Sequence, residues 1–204
     1  MPASVTERLL PPAVQDPPRK RWTRAECEVV EATGVFDQQR VELIEGELID
    51  KMGKNRPHVG VAALLSAWLT HVFGGRRVNA EAPIDVAPED NPTNQPVPDL
   101  IVLKREYSVS GFWAATPQPK HLDLVVEIAD TSLVFDFTVK GAIYARAGIA
   151  EYWILDLQGR RLQVHRDPQG ARFTSVTSYG EDESVAPLAA PRSLFQARSV
   201  LPPI

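Results

Sequence analysis

Two acidic residues interrupt stretches of the sequence that are otherwise apolar. Asp99 directly follows Pro98 and opens the run Asp-Leu-Ile-Val-Leu, while Glu127 lies inside Leu124-Val-Val-Glu-Ile-Ala129. Burying a bare carboxylate is costly, so Glu127 must be met by hydrogen bonds, a cation or a metal ion. If the two strands are neighbours, both carboxylates converge at one edge of a sheet. Such a pair is suited to a hard divalent cation such as Mg²⁺, which prefers oxygen ligands.

A polar stripe follows the Glu127 strand. Asp136, Lys140 and Tyr144 recur at every fourth residue and so share one face of a helix predicted over about 136–147. One interpretation is a surface salt bridge beside a tyrosine, which contributes little to stability. The other is that the stripe brings Lys140 to the metal site, because it comes directly after that strand.

A hairpin and a long helix are predicted before these acids. Residues 41–50 form two short strands joined at Glu45-Gly46, where glycine supplies the positive φ of a tight turn. Apolar residues at helical spacing predict a helix over 58–73, after Pro57. His58 at its start either caps the helix and bonds to a hairpin carboxylate, or positions a water molecule or a phosphate.

The remaining elements predict a mixed α/β fold. Thr23-Arg-Ala-Glu26 has the form of a capping box and predicts a short helix over about 24–32. A strand, helix, strand succession in the middle of the chain favours a parallel crossover. The predicted strands lie at about 77–86, 99–103, 122–129 and 152–157, followed by short strands from 161 to about 179. We therefore expect one domain with a mixed sheet of six or more strands, flanked by helices.

Composition bounds the class of protein. The chain has 204 residues, with 22 basic and 26 acidic side chains and a net charge of −4, which argues against a protein that coats nucleic acid. Its only dense basic cluster, at 19–24, is either a solvated helix entrance or a local nucleic-acid contact. The proline-rich residues 1–20 are expected to form a flexible tail before a single domain at 21–204.

Cysteine content and hydropathy indicate the compartment. Cys27 is the only cysteine, which excludes an internal disulfide and a cysteine-based zinc site and fits a reducing cytoplasm. The longest apolar-rich stretch, 59–73, is interrupted by polar residues and is too short to span a bilayer. We expect a soluble cytoplasmic protein without a membrane partner.

The ordered motifs resemble the Uma2 family, whose members are grouped as candidate restriction endonucleases with a PD-(D/E)XK nuclease fold. The likeness covers about residues 22–200, and its most specific part is YARAGIAEYWILD at 144–156. The other motifs are Val41-Glu-Leu-Ile-Glu-Gly-Glu-Leu48, Pro57-His58, Pro98-Asp99, Leu124-Val-Val-Glu127 and Asp136-x-x-x-Lys140. The resemblance implies a restriction-endonuclease-like fold with a mixed central sheet.

The resemblance also implies roles for these residues. Asp99 matches the aspartate of the PD motif and Glu127 the acid of (D/E)XK, so both are expected to ligate Mg²⁺ or Mn²⁺. The lysine of that motif would fall at position 129, where this chain has Ala129. Lys140, held by or near Asp136, is similar to a migrated lysine that orients the attacking water and stabilises charge on the phosphate.

A third acid is often supplied by the first core helix of this fold, but the 58–73 helix contains none. Glu47 is the best substitute as a catalytic residue and metal ligand, and Glu42 is the second candidate. The competing interpretation is that Glu47 is only a cross-strand charge of the hairpin. His58 matches a family histidine of catalytic or structural role.

The function implied is a divalent-metal-dependent endonuclease acting on DNA, and by analogy a homodimer. Ala129 and the negative net charge motivate an alternative of another class. This alternative is a nuclease-fold module with little or no catalysis that binds nucleic acid or a protein partner. A third reading is a metal-dependent hydrolase of another phosphorylated substrate.

Overall fold

A capped helix, a hairpin and a long helix come first in the computed structural model, which describes residues 18–51, 55–107 and 115–203. Thr23 and Glu26 form the predicted capping box of the first helix. Glu45 and Gly46, at φ 48° and 76°, make the two-residue turn of the hairpin. The elements are α1 (Arg24–Glu31), β1 (Val41–Ile44), β2 (Glu47–Asp50) and α2 (Arg56–Phe73).

A six-stranded mixed sheet follows, with its strands in chain order and each hydrogen-bonded to the next. All neighbours are antiparallel except β5 and β6, which run parallel across the predicted crossover. The strands are β3 (Val78–Ala80), β4 (Leu100–Leu103), β5 (Leu122–Ala129), β6 (Glu151–Asp156), β7 (Arg161–Gln169) and β8 (Arg172–Gly180). The predicted mixed α/β class and six-stranded sheet are confirmed.

The crossover helix, α3, is built from three consecutive segments. It starts as α-helical Leu133–Phe135, continues as π-helical Asp136–Lys140 and ends as α-helical Gly141–Arg146. The sequence predicted its extent closely but not its π-helical segment. A small pair, β9 (Ser184–Val185) and β10 (Phe195–Gln196), completes the strands described.

The central strands are covered on both faces. On β5, Leu124 and Val126 pack with residues of α2 such as Leu65, whereas Val125 packs with residues of α3 such as Ile143. Because successive side chains of a strand point to opposite faces, a strand covered on both faces is apolar almost throughout. This explains why the polar exceptions on these strands are conspicuous in the sequence.

Two predicted elements differ from the structure. The strand expected over 77–86 is only three residues long, because Glu81 adopts a positive φ of 52° and Pro83 cannot donate to a ladder. The strands expected to be short after 161 are instead the nine-residue arms of the β7–β8 hairpin.

The predicted tail over residues 1–20 falls almost entirely outside the described residues, so the tail and the 21–204 domain stay predictions. Among the helices described, none combines the length and the hydrophobicity needed to cross a bilayer.

Candidate active site

The π-helical segment of α3 directs two oppositely charged side chains into the protein interior. Asp136 and Lys140 are both buried, and their carboxylate and ammonium lie 3.8 Å apart. Ser132 Oγ donates to Asp136 Oδ2 at 2.6 Å. The wider turn of a π-helix changes which side chains share a face, and such turns often occur at functional sites. The predicted polar stripe is therefore interior and not a surface salt bridge.

Lys140 lies among three carboxylates. Its Nζ is 2.8 Å from Glu42 Oε1 and 3.0 Å from Glu127 Oε1, in addition to the Asp136 contact. All four side chains are at most 4% exposed. Burial works against the charged form of Lys140, but the three carboxylates outweigh it and raise its pKa above the usual value. The ammonium thus stays charged and joins β1, β5 and α3.

Glu127 shares its Lys140 contact with a tyrosine. Tyr144 Oη donates to Glu127 Oε1 at 3.0 Å, and Tyr144 is completely buried. Burial raises the pKa of Glu127 to about 8, and nearby carboxylates add to the rise although Lys140 and Lys51 oppose it. Burial likewise raises the pKa of Asp136. The site therefore carries more acid than its lysines neutralise.

Asp99 directly precedes β4, beside Glu127 of β5. Its Oδ2 accepts a hydrogen bond from the amide of Ile128 at 2.8 Å, which ties it to the residue after Glu127. His58 Nε2 is 3.3 Å from the same oxygen. Lys51 Nζ lies 3.8 Å from the other oxygen, Oδ1. The charge of Asp99 is also one of the causes of the raised pKa of Glu127, so the two carboxylates are close enough to interact.

His58 is held at the N-terminus of α2. Its amide donates to the side chain of the N-cap residue Asn55 at 3.0 Å, and its ring reaches Asp99. The other ring nitrogen, Nδ1, is buried and has no hydrogen-bond partner in the part of the chain that the structure describes. The sequence left open a bond from His58 to a hairpin carboxylate. The carboxylate it meets is that of Asp99.

Except for Tyr144, which lies behind Glu127, the side chains described above line one pocket of about 330 Å³. Its walls come from the hairpin, the start of α2, the ends of β4 and β5, and the first turns of α3. In open α/β sheets, ligands commonly bind outside the carboxyl ends of parallel strands. Strands β5 and β6 are parallel, and Glu127 is near the carboxyl end of β5. The charged and imidazole side chains among the lining residues are Glu42, Asp50, Lys51, His58, Asp99, Glu127, Asp130, Asp136 and Lys140.

Glu47 is not brought to this pocket. It lies at the turn end of the hairpin, where its carboxylate is 3.2 Å from the Arg21 guanidinium and its side chain is 51% exposed. Glu42, which was the second candidate for the third acid after Glu47, faces the pocket instead. Glu42 Oε2 also accepts from the amide of Val97 at 3.1 Å. The two glutamates differ in their position along the hairpin. Glu42 lies opposite Ile49, which lines the pocket, whereas Glu47 lies two residues nearer the turn and so farther from the pocket.

Lys51 is a pocket residue that sequence reasoning missed. It follows β2 directly, donates to the carbonyl of Val97 and approaches Asp99, and its side chain is 14% exposed. A lysine at the end of a hairpin strand carries no signal that separates it from a solvated one. Its position depends on how the hairpin packs against residues 95–99.

The basic cluster at 19–24 is bound to acids of the same chain. Lys20 pairs with Glu26 at 2.7 Å, and Arg24 pairs with Asp85 at 2.6 Å. Arg21 makes the Glu47 pair described above. Of the two interpretations left open, these contacts favour the helix entrance, with Arg24 fastening α1 to the loop before β4.

The donor set suits a hard divalent cation. The pocket holds more carboxylates than ammonium groups, and burial, with the neighbouring acids Asp99 and Asp136, keeps the pKa of Glu127 raised although Lys140 and Lys51 lower it. Among the described residues, no three histidine, cysteine or acidic side chains are already grouped as a metal cage. Mg²⁺ does not require one, because it commonly binds through one or two carboxylates together with water and substrate phosphates. Asp99 and Glu127 fit that pattern.

Comparison with known proteins agrees with this architecture. The sequence model of the Uma2 family, described as "Putative restriction endonuclease", matches residues 28–197. A crystal structure described as a putative nuclease belonging to DUF820 from Anabaena variabilis ATCC 29413 has a similar fold, with a TM-score of 0.58 and 17% sequence identity. The similarity covers 80% of this chain and 90% of that one. No curated protein matches the chain. At this identity the structural likeness bears on the fold alone, and it agrees with the fold class predicted from the sequence.

Proposed function

Because the chain belongs to the Uma2 family, a family of nuclease-like proteins, we propose that it is a divalent-metal-dependent endonuclease that hydrolyses phosphodiester bonds in DNA. One observation carries the proposal. Asp99, directly before β4, and Glu127, on the neighbouring strand β5, line the same pocket as Lys140, and the acids there outnumber the lysines. A pocket with surplus acid repels a phosphate unless a cation lies between them.

We assign Asp99 and Glu127 to hold Mg²⁺ or Mn²⁺. Such a cation, when bound, neutralises charge on the scissile phosphate and acidifies water. The chain's own residues prepare the site. The Ile128 amide fixes one oxygen of Asp99, and Tyr144 and Lys140 fix one oxygen of Glu127.

Lys140 is assigned two tasks. It orients Glu127 through a 3.0 Å contact, and its positive charge stabilises the phosphate in the transition state at short range. Asp136 holds its ammonium from the same helix. Glu42 takes the place of the third acid in preference to Glu47, because Glu42 lies 2.8 Å from that ammonium. His58, whose Nε2 lies 3.3 Å from Asp99 Oδ2, is assigned to position a water molecule or the phosphate beside that carboxylate.

The decisive experiment is a nuclease assay on supercoiled plasmid and on single-stranded DNA, with Mg²⁺, Mn²⁺ or EDTA. Wild-type protein should cut in either metal and not in EDTA. Asp99→Asn and Lys140→Met should lose the activity while retaining the circular-dichroism spectrum of the wild type. Glu47→Gln is the matched control, an acid of the same hairpin placed outside the pocket. Equal cutting by all four proteins would contradict the assigned site.

The alternative, a nuclease-fold module that binds without cutting, is favoured by two features. Lys140 is enclosed by three carboxylates, and position 129, where the motif lysine would lie, is alanine. DNA affinity that falls steeply with salt, without metal-stimulated cleavage, would support this alternative. Turnover of a different phosphorylated substrate, with DNA left intact, would support the third reading.

We further propose that the protein acts in the cytoplasm and pairs as a homodimer to cut both strands of a duplex. Sedimentation of the purified protein with and without duplex DNA tests the pairing. A monomer in both conditions would contradict it.

A further inference from the structure

A second pocket adjoins the candidate active site. Its volume is about 370 Å³, and it lies between the segment after α1 and the hairpin. Lys51 lines both pockets. The Lys51 ammonium hydrogen-bonds to the Val97 carbonyl and is 3.8 Å from Asp99 Oδ1, so it stands at the boundary between the two. We call this second space the flanking pocket.

The walls of the flanking pocket combine an aromatic ring with hydrogen-bond acceptors. Phe36, Val41 and Val97 supply apolar surface. Asp37 and Gln39 supply oxygen acceptors, and both are exposed at the rim. The pocket can therefore hold a flat, largely apolar group whose edge carries N–H donors.

The charges of the flanking pocket select against a phosphate. Three carboxylates line it, those of Glu31, Asp37 and Glu81, against the two cations Arg40 and Lys51. Arg40 is already engaged with Glu81 at 2.9 Å. The surplus acid disfavours an anion but accepts hydrogen bonds from a neutral ligand with amino groups.

We infer that the flanking pocket receives one nucleobase of the DNA, from a nucleotide next to the scissile phosphate, and that it favours a base with an exocyclic amine. This inference rests on the proposed function. Phe36 stacks on the base, and Asp37 accepts from its amine. Lys51, between the pockets, faces the phosphate that joins this nucleotide to the cut. A base held there is not paired, so the substrate at that position is single-stranded or has the base turned out of the helix.

The test starts from a single-stranded oligonucleotide whose cut position has been mapped with wild-type protein and Mn²⁺. Each nucleotide near the cut is then replaced in turn by an abasic residue. At one flanking position the abasic substrate should lower kcat/KM about tenfold, within the range given by loss of base stacking on an aromatic side chain.

The variant Phe36→Ala connects that position to the pocket. It should lower kcat/KM about tenfold on the intact substrate and cause no further loss on the abasic one, because both changes remove the same contact. Val35→Ala is the matched control, since Val35 is a 57% exposed neighbour that does not line the pocket. It should behave as the wild type on both substrates.

Asp37→Asn provides a second readout that does not depend on the Phe36 variant folding. With cytosine or thymine at the sensitive position, wild-type protein should prefer cytosine, and the asparagine variant should lose that preference. Multiplicative losses from Phe36→Ala and the abasic residue, or no base preference in the wild type, would overturn the inference while leaving the proposed function intact. Failure of wild-type protein to cut any DNA would overturn both.

Discussion

Two buried glutamates on adjacent strands differ in the charged and hydrogen-bonding groups that surround them. Glu127 on β5 and Glu151 on β6 are 2% and 0% exposed, and both interrupt apolar strands of the same parallel pair. Glu151, at the amino end of β6, accepts hydrogen bonds from the Trp153 indole, twice from the Arg166 guanidinium and from the Leu188 amide. Glu127, near the carboxyl end of β5, shares one lysine with two other acids and lines the pocket.

The difference lies in the charge balance around each carboxylate. One arginine matches the single charge of Glu151, and the remaining donors complete its hydrogen bonds, which fastens the segment at 186–188 to the sheet. Around Glu127 the acids outnumber the cations, which leaves a site that gains from binding further positive charge. A buried acid in an apolar strand therefore indicates only that it has partners. The balance of those partners separates a structural acid from a functional one.

The largest expected effect is on cleavage. Glu127→Gln should lower the rate of DNA cleavage by about 10²–10³-fold, the loss caused by removing one preorganised hydrogen-bonding group from an active site. Glu151→Gln, assayed at equal concentration of folded protein, should cut at the wild-type rate because its partners lie outside the pocket. A similar loss of cleavage in both variants would contradict the assignment of Glu127 to the active site and of Glu151 to the structure.

The next effect is on stability. Glu151→Gln should reduce the free energy of unfolding by about 3 kcal/mol, because it leaves the Arg166 charge without its partner. Glu127→Gln should cost less, since Lys140 keeps Glu42 and Asp136. Urea unfolding of both variants measures this, with Glu28→Gln on the exposed side of α1 as the control. A larger loss in Glu127→Gln would reverse the assignment of the two acids.

A smaller effect concerns pH. Because the pKa of Glu127 rises from 4.5 in the unfolded chain to about 8 in the fold, the folded state holds this proton more tightly. Stability should then fall as pH rises from about 4.5 through 8 and level off above that, and the part of the fall between pH 6.5 and 8 is about 1–2 kcal/mol. His165, whose pKa burial lowers to about 4, opposes this trend below pH 6.5, so the informative window is 6.5 to 8.

Unfolding at several pH values in that window, without divalent cations, tests this point. Glu127→Gln should remove the slope, whereas Glu151→Gln should keep it on a lower baseline. A slope that is the same in wild-type protein and in Glu127→Gln would assign the pH dependence to other groups.

The smallest effect is expected at the hairpin turn. Glu47→Gln should change stability by less than about 0.5 kcal/mol, since its pair with Arg21 is exposed. Cleavage should be unchanged, whereas Glu42→Gln should reduce it. Plasmid assays of the two variants in parallel distinguish the two hairpin acids. An inactive Glu47→Gln variant would show that Glu47, and not Glu42, is the third acid.

The sequence predicted the elements whose causes are local. The capping box, the two-residue turn and the apolar run of β5 depend on neighbouring residues, and each lies where it was expected. Asp99 and Glu127 stood out because a carboxylate beside a buried strand has few explanations. Glu151 produces the same pattern, so the pattern alone did not separate the two.

Features that depend on tertiary packing could not be predicted from the sequence. The choice of Glu42 over Glu47, and the approach of Lys51 to Asp99, depend on how a separate two-stranded hairpin sits beside residues 95–99. The π-helical segment was equally hidden, because Asp136, Lys140 and Tyr144 have the spacing of an ordinary helix. These contacts join residues distant in sequence, and local propensities do not encode them.

The π-helical segment sets how much this part of the chain can vary in length. A π-turn amounts to one residue inserted into an α-helix. The extra residue is taken up within the π-turn, so deleting one of residues 137–139 would close the turn into a regular α-helix and leave the side chains on either side near their present positions. Deleting one of residues 141–143, in the α-helical part that follows, would instead turn Tyr144 by about 100° around the helix axis and away from Glu127. The first deletion is therefore expected to be tolerated better than the second, which should act as severely as removing a charge from the pocket.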